Sequence, residues 1–405
     1  MRVGLAPMVD LMERLGSPHQ SFRAVHVTGT KGKGTTAALV SEVLARAGLR
    51  TGLYTSPHVE RVNERVRIDG REVADDDLAA ALEDALAARA AAIHAGTAAD
   101  EATWFDLVTA AAFLVFQRAR CDWAVVEVGI GGRLDSTNVV RGEVAVVTNV
   151  DLEHVAVLGA TRAAIAREKG GIVKRGSVLV TGVHPDPGAR PEDDAAGVLA
   201  SIAEGQGAAL VRPAQVAADL AERNADLARL ALDALGQRGL RGARGETISG
   251  ALLDAAAVDA ARLPGRQELR SARGVPVLLD GAHVASSLER VLAEAARDRR
   301  LPPRQPVVVL ALGRDKDAGA VLKVLAGSVD RLVCTTAASG PLRAAETMAE
   351  EATRAGIGAE TAPDPAAALA QALQLAADGG WVLVTGSFHL AGATRPLLDA
   401  PRKAP

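Results

Sequence analysis

The chain is long and nearly neutral, and its composition excludes several classes of protein. It has 405 residues, of which 48% are hydrophobic, and its formal net charge is −3. A chain of this length can bury large cores and is expected to form at least two domains. The small net charge argues against a nucleic-acid-binding protein, in which a basic stripe is expected. Aromatic residues make up only 2%, so we expect aliphatic cores.

The cysteines and the apolar segments favour a reduced, soluble protein. Cys121 and Cys334 are far apart in the sequence and lie among apolar or strand-forming residues, which favours buried thiols over a disulfide or a metal site. The N-terminus shows no basic-then-apolar leader, and no uninterrupted apolar run is long enough to span a bilayer. We therefore expect a cytoplasmic protein with no membrane or nucleic-acid partner.

Valine-rich strands alternate with alanine-rich helices along the chain. The first series of predicted strands is "AVHVTG", "TGLYTS", "DWAVVEVG", "EVAVVTNV" and "SVLVTG". Such alternation predicts a parallel sheet with helices on both faces. The segment "RVRIDGREV" alternates around Asp69-Gly70, which predicts a small hairpin. The stretch "VHPDPGARPEDD", rich in Pro, Gly and acidic residues, is expected to be a surface loop within this series.

A second series of strands begins after the segment "LPGR". Its predicted strands are "VPVLLDGAH", "PVVVLALG", "DRLVCTT" and "WVLVTGS", again separated by helical segments. We place a domain boundary near Leu263 and expect one domain over residues 1–263 and a second over 264–405. Both domains are expected to have an α/β fold.

The segment "VHVTGTKGKGTT" is similar to a phosphate-binding loop but departs from the usual spacing. The usual pattern is Gly, four residues, and then Gly-Lys-[Ser/Thr]. Here Gly29 lies three residues before Gly32, and Gly34 separates Lys33 from Thr35. The glycines would allow backbone N–H groups to turn toward an anion at a helix N-terminus. The alternative is a merely structural turn, but the lysine favours nucleotide binding. The hydroxyl that usually binds Mg²⁺ after the lysine is replaced by Gly34.

Polar residues follow several predicted strands and are candidates for the missing metal ligands. Ser56 ends one strand, where Pro57 forces a turn; Glu127 ends another; and His154 follows a strand that ends in Asn149. The carboxyl ends of parallel strands border the crevice in which ligands bind, and Mg²⁺ prefers hard oxygen ligands. Each residue also has an ordinary alternative: a Ser-Pro turn, a structural carboxylate and a surface imidazole. Lys169, in "REKGGIVKRG", could equally be a helix-surface lysine.

Seven segments together resemble the folylpolyglutamate synthase/dihydrofolate synthase family of Mur-type ATP-dependent amide ligases. They are "HVTGTKGKGTT", "LYTSPH", "EVGIGGRLDSTN", "REKGGIVKRG", "LPGR", "DGAH" and "TGSFH", in that order. The resemblance runs from about Leu15 to Arg395, and "EVGIGGRLDSTN" is its most diagnostic part. It implies a P-loop parallel-sheet ATPase domain followed by a smaller Rossmann-like α/β domain, ATP and one or two Mg²⁺ as cofactors, and a monomer.

The resemblance also implies roles for individual residues. Lys33, Glu127, His154, Lys169 and Arg266 would be catalytic, and Lys169 could bear a carbamate. Mg²⁺ would be held by Ser56, Glu127 and His154. ATP would contact Gly29, Thr30, Lys31, Gly32, Lys33, Gly34, Thr35, Thr36, Asn224, Arg266, Asp280 and His283, with Asp280 on the ribose. The pterin substrate would contact Thr103, Leu134, Asp135 and Ser136. Ser387 and His389 are weaker site candidates.

Three departures from the family pattern concern the substrate and the second metal. Lys31 stands where the family usually has Asn, Val284 replaces the usual Asn after "DGAH", and Val155-Ala156 replaces a polar pair after His154. These changes leave the expected ATP and first-metal residues in place. They leave open the substrate preference, the second Mg²⁺ and the role of Lys31.

The implied reaction is ATP-driven ligation of L-glutamate to a folate-type carboxylate through an acyl phosphate. The acceptor could be dihydropteroate, a reduced folate, or both. One alternative is another Mur-type ligase, against which we count the roughly 24 residues before the loop, too few for a separate UDP-binding domain. A second alternative is a nucleotide-binding switch that performs no ligation, which only the altered "DGAHVASS" block favours.

Overall fold

A computed structural model describes residues 4–337 and 341–398. The chain divides into two compact units. The first contains Met1–Pro57 and Val62–Arg262, and the second contains His58–Arg61 and Leu263–Pro405. Each unit is an α/β structure built on its own sheet, which confirms the predicted fold class.

The first unit is built on an eight-stranded sheet. Its strands are β1 Arg23–Thr28, β2 Thr51–Tyr54, β3 Val66–Ile68, β4 Arg71–Glu72, β5 Trp123–Glu127, β6 Gly142–Val147, β7 Val178–Thr181 and β8 Ala209–Val211. They lie in the order β4-β3-β2-β5-β1-β6-β7-β8. Strands β2, β5, β1, β6, β7 and β8 pair in parallel, while β3 and β4 add an antiparallel hairpin at one edge. The predicted hairpin around Asp69-Gly70 is therefore confirmed.

Helices cover both faces of this sheet. They are α1 Ala6–Arg14, α2 Lys33–Arg46, α3 Asp75–Ala95, α4 Trp104–Arg118, α5 Val155–Leu158, α6 Arg162–Gly170, α7 Ala195–Gly205, α8 Leu220–Gln237 and α9 Ala255–Ala260. One core joins α1, α3 and α4 to the sheet, and a second joins α6 and α7 to β6 and β7. By the register of the strands, both of these cores lie on the face that carries Ala24 and His26. Val25 and Val27, which alternate with them, are buried too, and α2 and α8 pack against β5 and β6. The central strands are rich in Val because both of their faces are covered.

The order of the parallel strands determines where the candidate residues lie. Strands β2, β5, β1 and β6 are consecutive neighbours in the sheet. Because they are parallel, their carboxyl ends share one edge, and the residues that follow them emerge together there. That edge therefore receives the glycine-rich loop after β1, Ser56 after β2, Glu127 at the end of β5 and Asn149 after β6.

The second unit contains a six-stranded sheet. Its strands are β9 Glu268–Ala272, β10 Val275–Leu279, β11 Val307–Leu310, β12 Arg331–Cys334, β13 Ala359–Thr361 and β14 Val382–Thr385, in the order β13-β12-β11-β14-β10-β9. Only β9 is antiparallel to its neighbour. The helices are α10 Ala285–Ala295, α11 Ala318–Leu325, α12 Ala345–Arg354, α13 Pro365–Leu375 and α14 Phe388–Thr394. Separate aliphatic cores cover the two faces.

Three edge strands, β8, β9 and β13, were not predicted from the sequence patterns; β9 has five residues and pairs only with β10. β8 and β13 have three residues each and lie at sheet edges, where a strand needs only one partner and little apolar alternation. Both cysteines are buried free thiols, as predicted, and burial raises the pKa of each to about 12. None of the helices in the described ranges combines the length and the apolarity that crossing a bilayer requires.

Candidate functional site

The glycine-rich loop after β1 is fixed by close contacts with distant parts of the first unit. Gly29 has φ +150, and a Cβ there would lie 1.8 Å from Oγ1 of Thr148. Gly32 has φ +82, and a Cβ there would lie 2.1 Å from Oδ1 of Asn224. A side chain at either position would collide with a neighbour, so both contacts require glycine.

The side chain of Asn149 binds the backbone of the first half of the loop. Its Oδ1 accepts hydrogen bonds from the N–H groups of Thr30 at 3.0 Å and Lys31 at 2.9 Å. Its Nδ2 donates to the carbonyl of Lys31 at 3.1 Å, and Thr148 Oγ1 donates to the same oxygen at 2.6 Å. Position 31 is thus fixed through its main chain rather than through the lysine side chain.

The second half of the loop is the N-terminus of α2. The helix begins at Lys33 after Gly32 as its N-cap, so the N–H groups of its first turn have no carbonyl partner within the helix. These donors and the positive end of the helix dipole form an anion-binding arrangement. The ammonium of Lys33 lies 3.3 Å from the carbonyl of Thr30, at the entrance to the same turn.

Two buried oxygens beside this turn have no hydrogen-bond partner within the described residues. They are Oγ1 of Thr36 and Oδ1 of Asn224, and Asn224 is only 2% exposed. A buried polar atom without a partner costs free energy. The orphaned oxygen of Asn224, directly against Gly32, fits a ligand that supplies a hydrogen-bond donor at the loop.

The structure brings Ser56 and Glu127 together. The N–H of Ser56 donates to Oε2 of Glu127 at 2.9 Å, and Glu127 is 3% exposed. Arg65 is also buried nearby; burial lowers the pKa of its guanidinium, while its interactions with Tyr54 and Glu127 act in the opposite direction. The buried carboxylate of Glu127 and the hydroxyl-bearing Ser56 beside it are oxygen donors of the kind that a hard cation prefers.

His154 and Lys169 occupy different environments near this edge of the sheet. His154 adopts a left-handed conformation with φ +50 before α5, and its side chain is 47% exposed, with Nε2 3.6 Å from Glu153. Lys169, on α6, is only 2% exposed. Burial and the charge of Lys33 lower the pKa of Lys169 to about 7. A lysine with that pKa is substantially neutral near physiological pH.

The loop between β5 and β6 brings the predicted acceptor-binding residues together. Thr103 and Asp106 form a capping box at the start of α4, and Ser136 Oγ donates to Oδ1 of Asp106 at 2.6 Å. Asp135 is buried, and its Oδ2 accepts the N–H of Ile130 at 3.0 Å. Burial raises the pKa of Asp135, although its hydrogen bonds act against that shift. Leu134 is half-buried in the same loop.

The second unit gathers its own candidate residues at the end of β10. Asp280 accepts N–H groups from Gln267 at 3.0 Å and Ala282 at 2.8 Å, and burial raises its pKa to about 6. Arg266 lies over the ring of Phe388 at 5.1 Å and exerts its charge on Asp280. Nδ1 of His283 lies 2.9 Å from the carbonyl of Gly281.

The two weaker candidates of this unit lie at the start of α14. Ser387 caps that helix, since its Oγ accepts the N–H of Leu390 at 3.1 Å. His389 is exposed on the helix. Capping gives Ser387 a structural role in the fold, and nothing in its geometry distinguishes it as a ligand.

Sequence reasoning missed Asn149, Thr148 and Asp106 as site residues. Asn149 and Thr148 support the glycine-rich loop, and Asp106 joins Thr103 to Ser136. A polar pair directly after a buried strand was a visible signal for the first two. Asp106 had the spacing of a capping box, Thr103 followed by Asp106, which identifies a helix start but not a partner thirty residues away.

Two Mur ligase family models match the chain. The model described as "Mur ligase middle domain" matches residues 27–187, and the model described as "Mur ligase, glutamate ligase domain" matches residues 265–388. A solved folylpolyglutamate synthase from Mycobacterium tuberculosis, complexed with ADP, is 29% identical with a TM-score of 0.82, and the match covers 98% of this chain and 95% of that one. A Yersinia pestis folylpolyglutamate synthase/dihydrofolate synthase, complexed with AMPPNP and Mn, is 28% identical with a TM-score of 0.78, over 98% and 94% of the two chains.

Curated relatives extend the similarity over nearly the whole chain. A probable bifunctional folylpolyglutamate synthase/dihydropteroate synthase from Haloferax volcanii is 34% identical over 98% of this chain. The chain spans about half of that relative's length, 48%. The dihydrofolate synthase/folylpolyglutamate synthase of Escherichia coli is 31% identical over 99% of this chain and 92% of its own length. With the Mur ligase domains matched in order, these identities establish that the chain belongs to the dihydrofolate synthase/folylpolyglutamate synthase family of Mur-type ligases.

Proposed function

We propose that this protein is an ATP-dependent ligase that joins L-glutamate to the carboxylate of a folate-type acceptor. The observation that supports this most directly is the contact of Ser56 with Glu127, at the sheet edge that also receives the glycine-rich loop. A phosphate-binding helix N-terminus and a buried carboxylate at one sheet edge are the parts that phosphoryl transfer requires.

In this proposal the loop from Gly29 to Thr36 binds the phosphates of ATP. The N–H groups at the start of α2 donate to phosphate oxygens, and Lys33 neutralises charge that develops on the γ-phosphate. Asn224 uses its unpartnered Oδ1 to accept a donor from the nucleotide. The ADP and AMPPNP complexes of the two solved relatives support a nucleotide in this family.

We assign a divalent cation, Mg²⁺ in the cell, to Ser56, Glu127 and His154. Within residues 4–337 and 341–398, no three His, Cys, Asp or Glu side chains are grouped so as to hold a metal. That finding suits Mg²⁺, which is commonly held by one or two carboxylates, water and substrate phosphates. When bound, the cation would withdraw negative charge from the phosphates. The Mn of the Yersinia pestis complex supports a divalent cation in the family.

Lys169 is a candidate for carbamylation. Carbamate formation needs a neutral amine, and the pKa of Lys169 is lowered to about 7. The carboxyl group gained would place a negative charge near Lys33, the group whose positive charge contributes to that lowering. Asp151 and Glu153 also act on Lys169 electrostatically, so the modified lysine would extend an acidic set suited to a second cation.

Thr103, Leu134, Asp135 and Ser136 are assigned to the acceptor. A pterin presents several ring N–H donors, and Asp135 is a buried carboxylate that can accept them. Leu134 would supply an apolar contact. We retain Arg266, Asp280 and His283 of the second unit as nucleotide-binding residues, with Arg266 contributing positive charge toward phosphate and Asp280 accepting from ribose hydroxyls.

The proposed reaction has two steps. An oxygen of the acceptor carboxylate attacks the γ-phosphorus of ATP. The bond between that phosphorus and the oxygen that bridges to the β-phosphate breaks. ADP is released, and the acceptor becomes an acyl phosphate. The amine of glutamate then attacks the acyl carbon, phosphate leaves, and the amine loses a proton as the amide forms. The protein contributes positioning of the reacting groups and neutralisation of charge.

The preferred acceptor and the assembly belong to the same proposal. We favour an enzyme that uses both dihydropteroate and a reduced folate, working as a cytoplasmic monomer. The direct test is incorporation of labelled glutamate with Mg²⁺-ATP, comparing dihydropteroate with tetrahydrofolate as acceptor. We expect ADP release that depends on both glutamate and a pterin acceptor. ATP binding without such release would identify a nucleotide-binding protein that performs no ligation.

Two variants test the site. Lys33→Ala and Glu127→Ala are each expected to lower ligation by about 10²-fold or more, roughly 3 kcal/mol, while the circular dichroism spectrum stays native. Lys323→Ala, on an exposed position of α11, is the matched control and should retain full activity. Wild-type turnover in either site variant would refute the assignment.

A further inference from the structure

His26 is a buried histidine in the middle of strand β1, with a buried valine on each side. It lies in β1, between Val25 and Val27, and is 0% exposed. The proposed ligase chemistry gives it no role. Its Nε2 lies 2.9 Å from Oγ1 of Thr137, a residue of the loop that contains the proposed acceptor-binding residues. This contact connects the side chain of His26 to the loop by a hydrogen bond.

The direction of the hydrogen bonds can be assigned from the neighbouring atoms. Oγ1 of Thr137 donates to Oδ1 of Asp135, and the N–H of Thr137 donates to the same oxygen at 3.0 Å. A hydroxyl group has one proton, so the oxygen of Thr137 must accept from His26. The imidazole therefore has its proton on Nε2, and the relay runs from His26 through Thr137 to Asp135.

The imidazole is held in a neutral form. Burial and the charge of Lys174 lower the pKa of His26 to about 3, and its Nδ1 is buried without a hydrogen-bond partner within the described residues. An unpartnered polar nitrogen in a core costs free energy that an apolar side chain of similar size would not. A histidine at this position is therefore less favourable for packing than an apolar side chain of similar size. The interaction that it adds is the hydrogen bond to Thr137.

A second residue of β1 anchors the same loop. Thr28 lies two residues after His26 and therefore on the same face of the strand, and its Oγ1 donates to the carbonyl of Gly131 at 2.6 Å. Strand β1 then continues directly into Gly29, the first residue of the glycine-rich loop. Strand β1 thus positions both the glycine-rich loop that follows it and the loop between β5 and β6 that contains the proposed acceptor-binding residues.

We propose that His26 is a positioning residue for the acceptor, which orients the carboxylate of Asp135 through the hydroxyl of Thr137. This inference rests on the proposed function, in which Asp135 binds the pterin acceptor. It specifies that loss of the relay weakens acceptor binding and leaves nucleotide binding intact, because the phosphate loop is fixed separately by Asn149 and Thr148.

Steady-state kinetics with dihydropteroate, ATP and glutamate varied in turn test the relay. His26→Leu and Thr137→Val should each raise the KM for dihydropteroate about tenfold, with the KM for ATP unchanged within about twofold. His26→Gln retains a hydrogen-bond donor and Thr137→Ser retains a hydroxyl, so the KM for dihydropteroate in each should stay close to the wild-type value. The double variant His26→Leu/Thr137→Val should be no worse than either single variant, since both break the same relay.

A buried hydroxyl elsewhere in the unit provides the control. Thr181, on β7, is buried, and its Oγ1 donates to the carbonyl of Val147 at 2.9 Å. Thr181→Val should lower the thermal midpoint without changing the KM for dihydropteroate. If His26→Leu does not fold, the pair Thr137→Val and Thr137→Ser decides the question alone.

The outcomes separate the relay from the function on which it rests. Absence of acceptor-dependent glutamate ligation by the wild-type protein would refute the proposed function. An active wild-type protein whose His26→Leu and Thr137→Val variants keep the wild-type KM for dihydropteroate would overturn the positioning role. Equal increases in the KM for ATP and for dihydropteroate would overturn it too, since a general structural defect produces that pattern.

Discussion

The N–H of Ser56 donates to Oε2 of Glu127 over 2.9 Å, which joins the residues that end two neighbouring parallel strands. The contact is made by the backbone N–H of Ser56, and it fixes one oxygen of the Glu127 carboxylate at the edge of the sheet. In our proposal, Ser56 and Glu127 contribute to binding the cation that accompanies ATP. The hydrogen bond orients the carboxylate at the position where the proposal places the cation.

Glu127→Gln should separate the charge of this carboxylate from its shape. The amide oxygen can still accept from Ser56, so we expect a nearly unchanged thermal midpoint. The negative charge is lost, so the rate of Mg²⁺-dependent ligation should fall by about 10²-fold or more, while nucleotide binding measured in EDTA is retained.

Glu143→Gln is the control for Glu127→Gln. Glu143 is ion-paired with Arg23 near the opposite end of the parallel strands, so its substitution should leave ligation at the wild-type rate. A Glu127→Gln variant that responds to Mg²⁺ as the wild-type protein does would argue against a metal ligand at this position.

Gly32→Ala should damage the phosphate loop by two separable effects. The backbone has φ +82, which strains any L-residue, and the new Cβ would lie 2.1 Å from Oδ1 of Asn224. Gly245→Ala has nearly the same strain, with φ +85, but meets nothing within 4 Å. We therefore expect Gly32→Ala to lose about 1–3 kcal/mol more stability than Gly245→Ala.

Calorimetric unfolding and an ATP titration check this comparison. The dissociation constant for ATP should rise at least about tenfold in Gly32→Ala, since relief of the collision displaces the loop. Gly245→Ala should bind ATP normally. Equal destabilisation of the two variants would show that Asn224 does not constrain the loop.

Lys169 should make the protein sensitive to pH in a defined direction. Its pKa is lowered from 10.5 to about 7, so between those values the unfolded chain binds a proton that the folded protein lacks. Stability contributed by this group therefore rises with pH through that window and is lowest below about pH 7. Lys169→Met should be more stable than the wild-type protein at pH 6, with a smaller difference at pH 9, in chemical denaturation.

The same lowered pKa predicts carbamylation that increases with pH. In ¹³C-bicarbonate, we expect a carbamate NMR resonance that strengthens as pH rises through about 7 and is absent from Lys169→Met. Lys174→Arg should retain the resonance, since the ammonium of Lys174 is engaged by Asn138 at 2.7 Å. A resonance that persists in Lys169→Met would assign the modification to another lysine.

Val284→Asn should stabilise the second unit. Val284 is the N-cap of α10 and makes no side-chain cap, whereas asparagine is among the best N-cap residues. We expect a gain of about 1 kcal/mol relative to Val284→Ala, measured by denaturant unfolding. Val284→Ala serves as the reference because it removes the valine side chain without adding a cap. Equal stability of the two variants would show that this position, where the family usually has Asn, does not act as a cap.

Sequence patterns identified the elements whose evidence is local. The valine-rich strands, the helix that begins at Lys33 and the hairpin around Asp69 were all predicted, because alternation, helix starts and turn residues are written in consecutive positions. The family followed from the order of several short segments. The edge strands β8, β9 and β13 were missed because a strand at an edge needs no strong apolar alternation; β9, for example, has four half-buried residues in a row.

The contacts between distant segments were decided by the tertiary structure alone. Asn224 meets Gly32, and His26 meets Thr137, across separations of about two hundred and about one hundred residues. The lowered pKa of Lys169 likewise arises from burial and from Lys33 on another helix.

By itself, the sequence determined the α/β class, the glycine-rich loop and the polar residues that end the strands, because backbone preference and side-chain period act over a few residues. The folded sheet decided which of those residues meet. Its parallel order places the ends of β2, β5, β1 and β6 at one edge, and that order depends on the packing of whole strands and helices.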